Sequence, residues 1–164
     1  RESHLRQIVK KEAKRRGITC RCVRCREIGG RGKQGELTFR KDTYQVSGGQ
    51  EEFLSFIDQE NRLYSLLRLF LPEEGKIIFP CLKKAAIVRE LHTYGQALPL
   101  GGKRKEASQH QGLGRKLLVK AEKIAKDKGY FRLAVIAGVG TREYYRRQGY
   151  HLEETYMVKE INNG

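Results

Sequence analysis

The feature that most constrains how this chain can fold is a glycine-rich turn that leads directly into a helical pattern. The stretch from Gln109 to Arg115 reads Gln-His-Gln-Gly-Leu-Gly-Arg, and apolar residues then recur at helical spacing until Gly129. The predicted apolar face consists of Leu113, Leu117, Leu118, Ala121, Ile124 and Ala125. Free backbone N–H groups and the positive end of the helix dipole converge at such a turn, which suits a phosphate or pyrophosphate group. On its own, the motif is equally compatible with an ordinary loop before a surface helix.

The rest of the pattern predicts a mixed α/β domain. A chain of 164 residues is long enough for one domain with a sizeable core. Short strands are predicted from Leu37 onward, with a turn at Lys41–Asp42 and a break at Gly48–Gly49. Further predicted elements are a hairpin of 52–57 with 63–71, strands at 77–79, 85–94, 131–136 and 152–159, and a short helix at 141–148. We place a boundary near Gly35, which gives a basic, cysteine-rich segment 1–34 and a domain 35–164.

Simple alternation in the long strand at 85–94 separates its side chains into two sets. One face is predicted to carry Ile87, Arg89, Leu91 and Thr93, and the other Val88, Glu90, His92 and Tyr94. A loop from Gly95 to Ser108 is predicted between this strand and the glycine turn.

Membrane and secretion signals are absent from the sequence itself. No apolar run is long enough to cross a bilayer, and no apolar signal segment opens the chain. We therefore expect a soluble, cytoplasmic protein without a membrane partner. Because the chain starts without methionine and within a charged helical segment, we interpret it as a fragment of a longer protein.

Positive charge is concentrated rather than spread. The formal net charge is +15, and residues 1–34 alone carry twelve lysines and arginines against three glutamates. A second cluster is Lys103-Arg104-Lys105. Clustered charge of this size favours a polyanionic partner, most simply nucleic acid, over an ordinary solvated surface. The candidates for RNA contact are Lys10, Lys11, Lys14, Arg15, Arg16, Arg21, Arg24 and Arg26.

The cysteines indicate a metal site rather than disulfides. Cys20, Cys22 and Cys25 fall within six residues, and three thiolates at this spacing can surround one tetrahedral ion. Neighbouring arginines would help to keep the thiols deprotonated. Cys81 is our candidate for the fourth ligand, with a buried free thiol or an external ligand as the alternatives.

Several stretches together resemble the GCN5-related N-acetyltransferase superfamily, and more closely the C-terminal half of the Elongator catalytic subunit family. They are Ile87–His92, Gln109–Gly114, Gly138–Arg146 and Tyr156–Lys159, and the cysteine run fits the same family. The resemblance extends over essentially the whole chain. It implies an acetyltransferase-like mixed sheet flanked by helices, with an N-terminal basic helix and a cysteine-rich metal loop. Family members begin with a radical S-adenosylmethionine domain, whose cluster-binding cysteine motif does not occur here.

The resemblance also implies roles for particular residues. Acetyl-CoA would lie against Glu90, Leu91, His92 and Thr93, and its phosphates against Gln109, Gln111, Gly112, Leu113, Gly114 and Arg115. Tyr144 and Tyr145 are the candidate catalytic residues, since a neutral phenol can stabilise or protonate the leaving thiolate. We prefer Tyr145 for direct cofactor contact; the alternative is that one of the two tyrosines packs in the core. Glu90 is a weaker candidate for a general base than for a surface carboxylate, and His92 is expected to be packed or solvated.

Function follows from that resemblance. The chain would bind acetyl-CoA and structural zinc, help to hold the anticodon region of tRNA, and supply the acetyl unit for modification of the wobble uridine. An iron–sulfur cluster and S-adenosylmethionine would belong to the absent radical domain, and other Elongator-type subunits are possible partners. Two alternatives stay open: a lysine acetyltransferase that acts on protein, and a non-catalytic module that binds tRNA and CoA.

Overall fold

The computed structural model describes residues 5–29, 36–76, 79–94 and 112–161, which form one seven-stranded sheet with helices. The helices are α1 (Leu5–Arg15), α2 (Val23–Arg26), α3 (Leu113–Asp127) and α4 (Arg142–Arg146), with short 3-10 turns at Pro80–Leu82 and Val139–Thr141. The strands are β1 (Thr38–Val46), β2 (Gly49–Ile57), β3 (Leu63–Pro72), β4 (Ala85–Thr93), β5 (Arg132–Val135), β6 (His151–Glu153) and β7 (Tyr156–Glu160). The mixed α/β prediction is confirmed.

The sheet has the strand order β1-β2-β3-β4-β5-β7-β6. Every neighbouring pair is antiparallel except β4 and β5, which are parallel and are connected through α3. Parallel neighbours need a crossover of this kind, and the helix covers one face of the sheet.

The main core lies between α3 and that face of the sheet. The apolar positions that the sequence predicted for α3 are buried against β2, β3, β4, β5 and β7, and only Ile124 is partly buried. A smaller cluster around Phe70, Cys81, Ile87 and Val158 lies where the 79–84 segment meets the sheet. The core therefore fixes α3 across the centre of the sheet, with its first turn beside β4.

Strand β4 changes faces at a β-bulge. Arg68 of β3 pairs with Glu90, but the next residue of β3, Leu69, pairs with Val88, so Arg89 is the extra residue. Ala86 and Val88 belong to the core beneath α3, and after the bulge Leu91 packs on the same side. The simple alternation predicted for this strand is therefore wrong beyond Arg89.

The N-terminal segment contacts the sheet through residues 26–28. Helix α1 has no buried residue, whereas the backbone after α2 joins the sheet: Ile28 donates to the Leu63 carbonyl over 3.2 Å, and its side chain is buried in the main core. Arg26 anchors the same segment through bonds from its guanidinium to the carbonyl oxygen (3.0 Å) and the side-chain oxygen (2.7 Å) of Asn61.

Two local predictions are wrong. The predicted turn at Lys41–Asp42 is instead the middle of β1, where these residues pair with Leu54 and Phe53. The single strand predicted at 152–159 is a hairpin of β6 and β7 that turns at Glu154, a residue with φ of 53°. The predicted strand at 77–79 and the boundary near Gly35 fall largely outside the described residues. No helix within the described ranges has the length and apolar character needed to span a bilayer.

Candidate functional site

A cleft opens where β4, α3 and α4 meet. Its volume is about 440 Å³, and it is lined by Leu91, Thr93, Gly112, Gly114, Arg115, Thr141, Tyr144, Tyr145 and Gln148. Seven of these nine residues are ones that the sequence analysis selected for cofactor binding or catalysis. The structure thus brings the end of the long strand, the glycine turn and the tyrosine pair into one site.

The first turn of α3 offers backbone donors to this cleft. Gly112 precedes the helix in a left-handed conformation with φ of 109°, which glycine adopts without strain. Its carbonyl accepts the first helical bond, from the N–H of Lys116 over 2.8 Å. The N–H groups of Leu113, Gly114 and Arg115 therefore have no acceptor within the helix and are available to an anion, and the exposed Arg115 adds a full positive charge at the same point.

Gly114 is the point of closest approach between α3 and the walls of the cleft. A Cβ atom at this position would lie 3.2 Å from the hydroxyl oxygen of Tyr144 and 3.3 Å from the hydroxyl oxygen of Thr93. Ser65 donates a hydrogen bond to the His92 carbonyl (2.8 Å), and its hydroxyl lies 3.3 Å from that of Thr93. A side chain at Gly114 would push against the tyrosine hydroxyl and against this hydrogen-bonded pair.

Strand β4 presents an open edge beside the helix terminus. Its pairing with β5 ends at Val88, whose carbonyl accepts a bond from the N–H of Ile136 over 3.3 Å. Beyond this bond, β4 continues to Thr93 with no partner strand on that side among the described residues. An extended ligand that carries amides could pair with this edge as an additional strand would.

Alternation along β4 after the bulge divides the four strand residues that the resemblance grouped together. Leu91 and Thr93 line the cleft. Glu90 and His92 do not: the Glu90 carboxylate lies 3.6 Å from the Arg68 guanidinium and 3.5 Å from the His92 ring nitrogen. Arg68 belongs to a polar network on the face of the sheet away from the main core. Side-chain contact of Glu90 and His92 with a ligand in the cleft is thus not supported, although their backbone belongs to the open edge.

The two tyrosines of α4 occupy different positions in the cleft wall. Tyr144 is 38% exposed, whereas Tyr145 is 7% exposed and packs edge-on between the rings of Tyr144 and Tyr150. The Tyr145 hydroxyl makes no hydrogen bond with any described residue, although the side chain lines the cleft. Burial raises the pKa of Tyr145 to about 12 and also raises the pKa of Tyr144. Both phenols therefore keep their protons at neutral pH and can donate a hydrogen bond.

Two cleft residues were missed in the sequence. Thr141 and Gln148 stand on either side of the tyrosine pair. Thr141 lies four positions before Tyr145, and Gln148 lies three positions after it. This is the spacing of one helical face, so a search of that face could have identified them. Gln109, Gln111 and the cluster Lys103-Arg104-Lys105 lie outside the described residues.

The three clustered cysteines converge as predicted, and Cys81 does not join them. The sulfur atoms of Cys20, Cys22 and Cys25 all lie within 4.8 Å of one another. A hydrogen bond with Cys20 lowers the pKa of Cys22, whereas the hydrogen bond with Cys22 raises the pKa of Cys25. Such a group can hold a metal ion with three ligands.

Cys81 is separated from this group by the length of β4. It is buried in the turn before Ala85, and its thiol lies 3.5 Å from the Glu154 carboxylate. The clustered cysteines lie near Leu63, at the opposite end of the sheet. A strand of this length spans about 26 Å at about 3.3 Å per residue. The prediction that Cys81 is the fourth ligand is therefore wrong, because the length of β4 separates its thiol from the other three.

The basic residues predicted to contact RNA are not equivalent in the structure. Lys10, Lys14, Arg21 and Arg24 are exposed. Arg15 and Arg16 are held by the Glu12 carboxylate at 2.7 and 2.6 Å. Arg26 is partly buried and holds the β2–β3 turn through Asn61, so it serves as an anchor within the protein.

Comparisons with known proteins place this chain beside a defined group of enzymes, although no family model matches it. It is 46% identical over 168 residues to a tRNA uridine(34) acetyltransferase of Dehalococcoides mccartyi, covering 96% of this chain and 36% of that protein. It is 43% identical over 165 residues to human Elongator complex protein 3, covering 95% of this chain and 30% of the relative. The chain therefore spans about a third of the length of these curated relatives.

Two solved structures are similar to this chain, one in sequence and fold and the other in fold alone. An N-terminally truncated Elp3 of Methanocaldococcus infernus superposes with a TM-score of 0.74 at 35% identity, over 94% of this chain and 38% of the other. A putative acetyltransferase of the GNAT family from Desulfovibrio desulfuricans matches with a TM-score of 0.54 at 13% identity, over 77% of this chain and 100% of the other, which is a similarity of fold alone.

Proposed function

The chain belongs to the family of Elongator complex protein 3 and the tRNA uridine(34) acetyltransferases, and we propose that it binds acetyl-CoA in the cleft between β4, α3 and α4. The observation that carries the proposal is the meeting, at Gly114, of free helix N–H groups with an unpaired strand edge. A diphosphate needs the first feature, and the amide-bearing arm of pantetheine needs the second.

Different residues of the cleft hold different parts of acetyl-CoA. The N–H groups of Leu113, Gly114 and Arg115 hold the diphosphate, and Tyr144 packs against the same turn. The backbone of β4 beyond Val88 holds the pantetheine arm, with Leu91 as an apolar floor. Acetyl-CoA itself supplies an acetyl group as a thioester.

Tyr145 acts on the leaving sulfur. When a nucleophile attacks the thioester carbonyl and the C–S bond breaks, negative charge develops on sulfur. The Tyr145 hydroxyl, which has no protein acceptor among the described residues, donates a hydrogen bond to that sulfur. Its raised pKa keeps the proton on oxygen until the charge forms.

We place this activity within the modification of the wobble uridine of tRNA. The support is the name of the D. mccartyi relative, together with the basic surface of this chain. The relatives are about three times longer, so chemistry on the uridine itself would require the remainder of such a protein, including a radical S-adenosylmethionine domain with its iron–sulfur cluster. Other Elongator-type subunits remain proposed partners.

We also propose that Cys20, Cys22 and Cys25 bind one structural zinc ion. The support is the convergence of the three sulfur atoms within 4.8 Å. Since the segment after α2 joins β3 through Ile28 and is held by Arg26, the metal would stiffen the connection between the basic helix α1 and the sheet.

Calorimetric titration with acetyl-CoA tests the cleft. We expect Gly114→Ala to weaken binding by about tenfold, because the new methyl group displaces the Tyr144 and Thr93 hydroxyls. Gly140→Ala is the matched control, since a Cβ at Gly140 meets no atom within 4 Å. If the parent and the Gly114 variant bind acetyl-CoA with equal affinity, the glycine turn is not part of the binding site.

Hydrolysis of acetyl-CoA, with and without tRNA, tests the reaction. Turnover that tRNA stimulates, and that Tyr145→Phe abolishes, is the expected result. Transfer to lysine peptides without any need for RNA would instead identify a protein acetyltransferase. Binding without turnover under all conditions would identify a non-catalytic module that binds tRNA and CoA.

A further inference from the structure

The outward face of α3 carries a row of cations, of which only Arg115 has a role in the cleft and none belongs to the predicted RNA segment 1–34. Five of the seven residues on this face are basic, and they follow one another around the exposed side of the helix. The face consists of Arg115, Lys116, Val119, Lys120, Lys123, Lys126 and Asp127. From the first to the last cation it extends about 17 Å at 1.5 Å per residue.

These cations are not neutralised by the protein. None of the five forms an ion pair with a residue in the described part of the chain, in contrast to Arg15 and Arg16 on α1. Glu122, the other carboxylate in the middle of α3, is turned away: it accepts bonds from Tyr150 (2.8 Å) and Lys159 (2.9 Å). Lys120 lies over the Phe39 ring at 4.1 Å, which keeps its charge at the surface.

Two features of this arrangement favour a bound anion. Lys116 and Lys120 are like charges four residues apart, which repel each other on a helix. The first turn of α3 contains no acidic residue and two basic ones, the reverse of what the helix dipole favours. A bound polyanion relieves both effects, since it neutralises the row and places negative charge near the N-terminus.

We propose that this row, Arg115 to Lys126, is a second phosphate-contacting surface that holds RNA backbone alongside the mouth of the cleft. RNA fits because its phosphates offer closely spaced negative charge along a line, as the row requires. Arg115 belongs both to the row and to the cleft lining, so RNA on α3 passes directly beside the site where the acetyl group is held. The proposal rests on the proposed function only for the identity of the RNA as tRNA.

Binding of a fluorescent tRNA transcript to the full chain at several salt concentrations tests the surface. The variant Lys123→Gln/Lys126→Gln removes two charges beyond the cleft, and glutamine preserves helix propensity. The matched control is Lys76→Gln/Lys83→Gln, which removes two exposed lysines near the other end of β4. We expect the α3 variant to bind tRNA at least tenfold more weakly. We also expect the slope of log K against log salt to fall by about 1.4 to 1.8, which corresponds to two lost phosphate contacts. The control should stay within about twofold of the parent, which is the size expected of an effect of net charge alone.

Three outcomes overturn the proposal. Equal loss in both variants would show an effect of net charge alone, and no loss in either would show a solvated surface. Polyglutamate that binds the parent as tightly as tRNA, and is lost in the α3 variant, would identify an acidic protein as the partner. Acetyl-CoA titration of the same variants keeps this test separate from that of the cleft, because Lys123 and Lys126 do not line it.

Discussion

The Tyr150 hydroxyl donates a hydrogen bond of 2.8 Å to the Glu122 carboxylate, which ties the turn after α4 to the middle of α3. Lys159 of β7 binds the same carboxylate at 2.9 Å and lies near the Tyr150 ring. Tyr150 is 3% exposed, and its ring packs edge-on against Tyr145. The hydrogen bond between Tyr150 and Glu122 therefore helps to fix the position of Tyr145, the proposed catalytic residue.

Removal of the Tyr150 hydroxyl should destabilise the fold. Tyr150→Phe leaves the Glu122 carboxylate with one partner fewer in a partly buried setting, and we expect a loss of about 1–2 kcal/mol in the free energy of unfolding. Urea denaturation measures this. Tyr156→Phe is the control, since no hydrogen bond involves that hydroxyl within the described residues, and it should match the parent. An unchanged midpoint for Tyr150→Phe would mean that water replaces the bond without cost.

Substitution of the two tyrosines of α4 should affect different kinetic parameters. Tyr145→Phe is expected to lower the rate of acetyl-CoA turnover by about 10²-fold with little change in affinity, because its hydroxyl acts on charge that develops in the transition state. Tyr144→Phe should mainly weaken binding, because its hydroxyl lies near the first turn of α3. A reversed pattern would exchange their roles. Since the pKa of Tyr145 is raised to about 12, turnover should not decline through this group between about pH 7 and 10.

Acid should destabilise the fold through Glu51. Burial alone would raise the pKa of this fully buried carboxyl, but hydrogen bonds from Arg68 (2.6 Å) and Tyr44 lower it below the usual 4.5. A lowered pKa in the folded state means that the stabilisation is complete above pH 4.5 and is lost as the pH falls further. Glu51→Gln should therefore be less stable than the parent at pH 7, by about 1–3 kcal/mol, with a gap that narrows below pH 4.5.

Unfolding in urea at a series of pH values measures that gap. The control is Glu60→Gln, which alters a carboxylate that is 71% exposed and should leave the pH profile unchanged. A constant gap between the parent and Glu51→Gln down to pH 3 would contradict the role assigned to the carboxylate.

Metal content should depend on three of the four cysteines. Cys25→Ser is expected to lose the zinc ion and to loosen the connection between α1 and the sheet. Cys81→Ala should keep its metal, because its thiol contacts Glu154 at the other end of β4. Elemental analysis of both variants measures the zinc content. Loss of zinc from Cys81→Ala would show that Cys81 is a fourth ligand after all.

The sequence predicted the parts of this fold that depend on local periodicity and glycine. The apolar face of α3, the position of β4 and the glycine turn are all present, since each reflects a repeat or a backbone preference visible in the chain. Within the cleft, the same reasoning found Gly114, whereas Leu91 and the tyrosine pair were selected through the resemblance to the acetyltransferase family.

The failures arose where pairing between distant strands decides the outcome. Lys41 and Asp42 look like a turn, yet β2 holds them in a strand. The bulge at Arg89 exists because β3 pairs past it, and nothing in the local sequence indicates that Leu91, rather than Glu90, shares the face of Val88. Cys81 was grouped with the other cysteines by residue type, although the sheet separates them.

The short pairing of β4 with β5 has a consequence for self-association. Beyond Val88, no described strand pairs with this edge of β4, so a strand of another molecule could add there, and such edges promote aggregation. Arg89, Glu90 and His92 place charged or polar side chains along this stretch, which is how natural sheets discourage that addition. A ligand that pairs with the edge protects it more completely, so cofactor occupancy should set the colloidal behaviour of this protein as well as its chemistry.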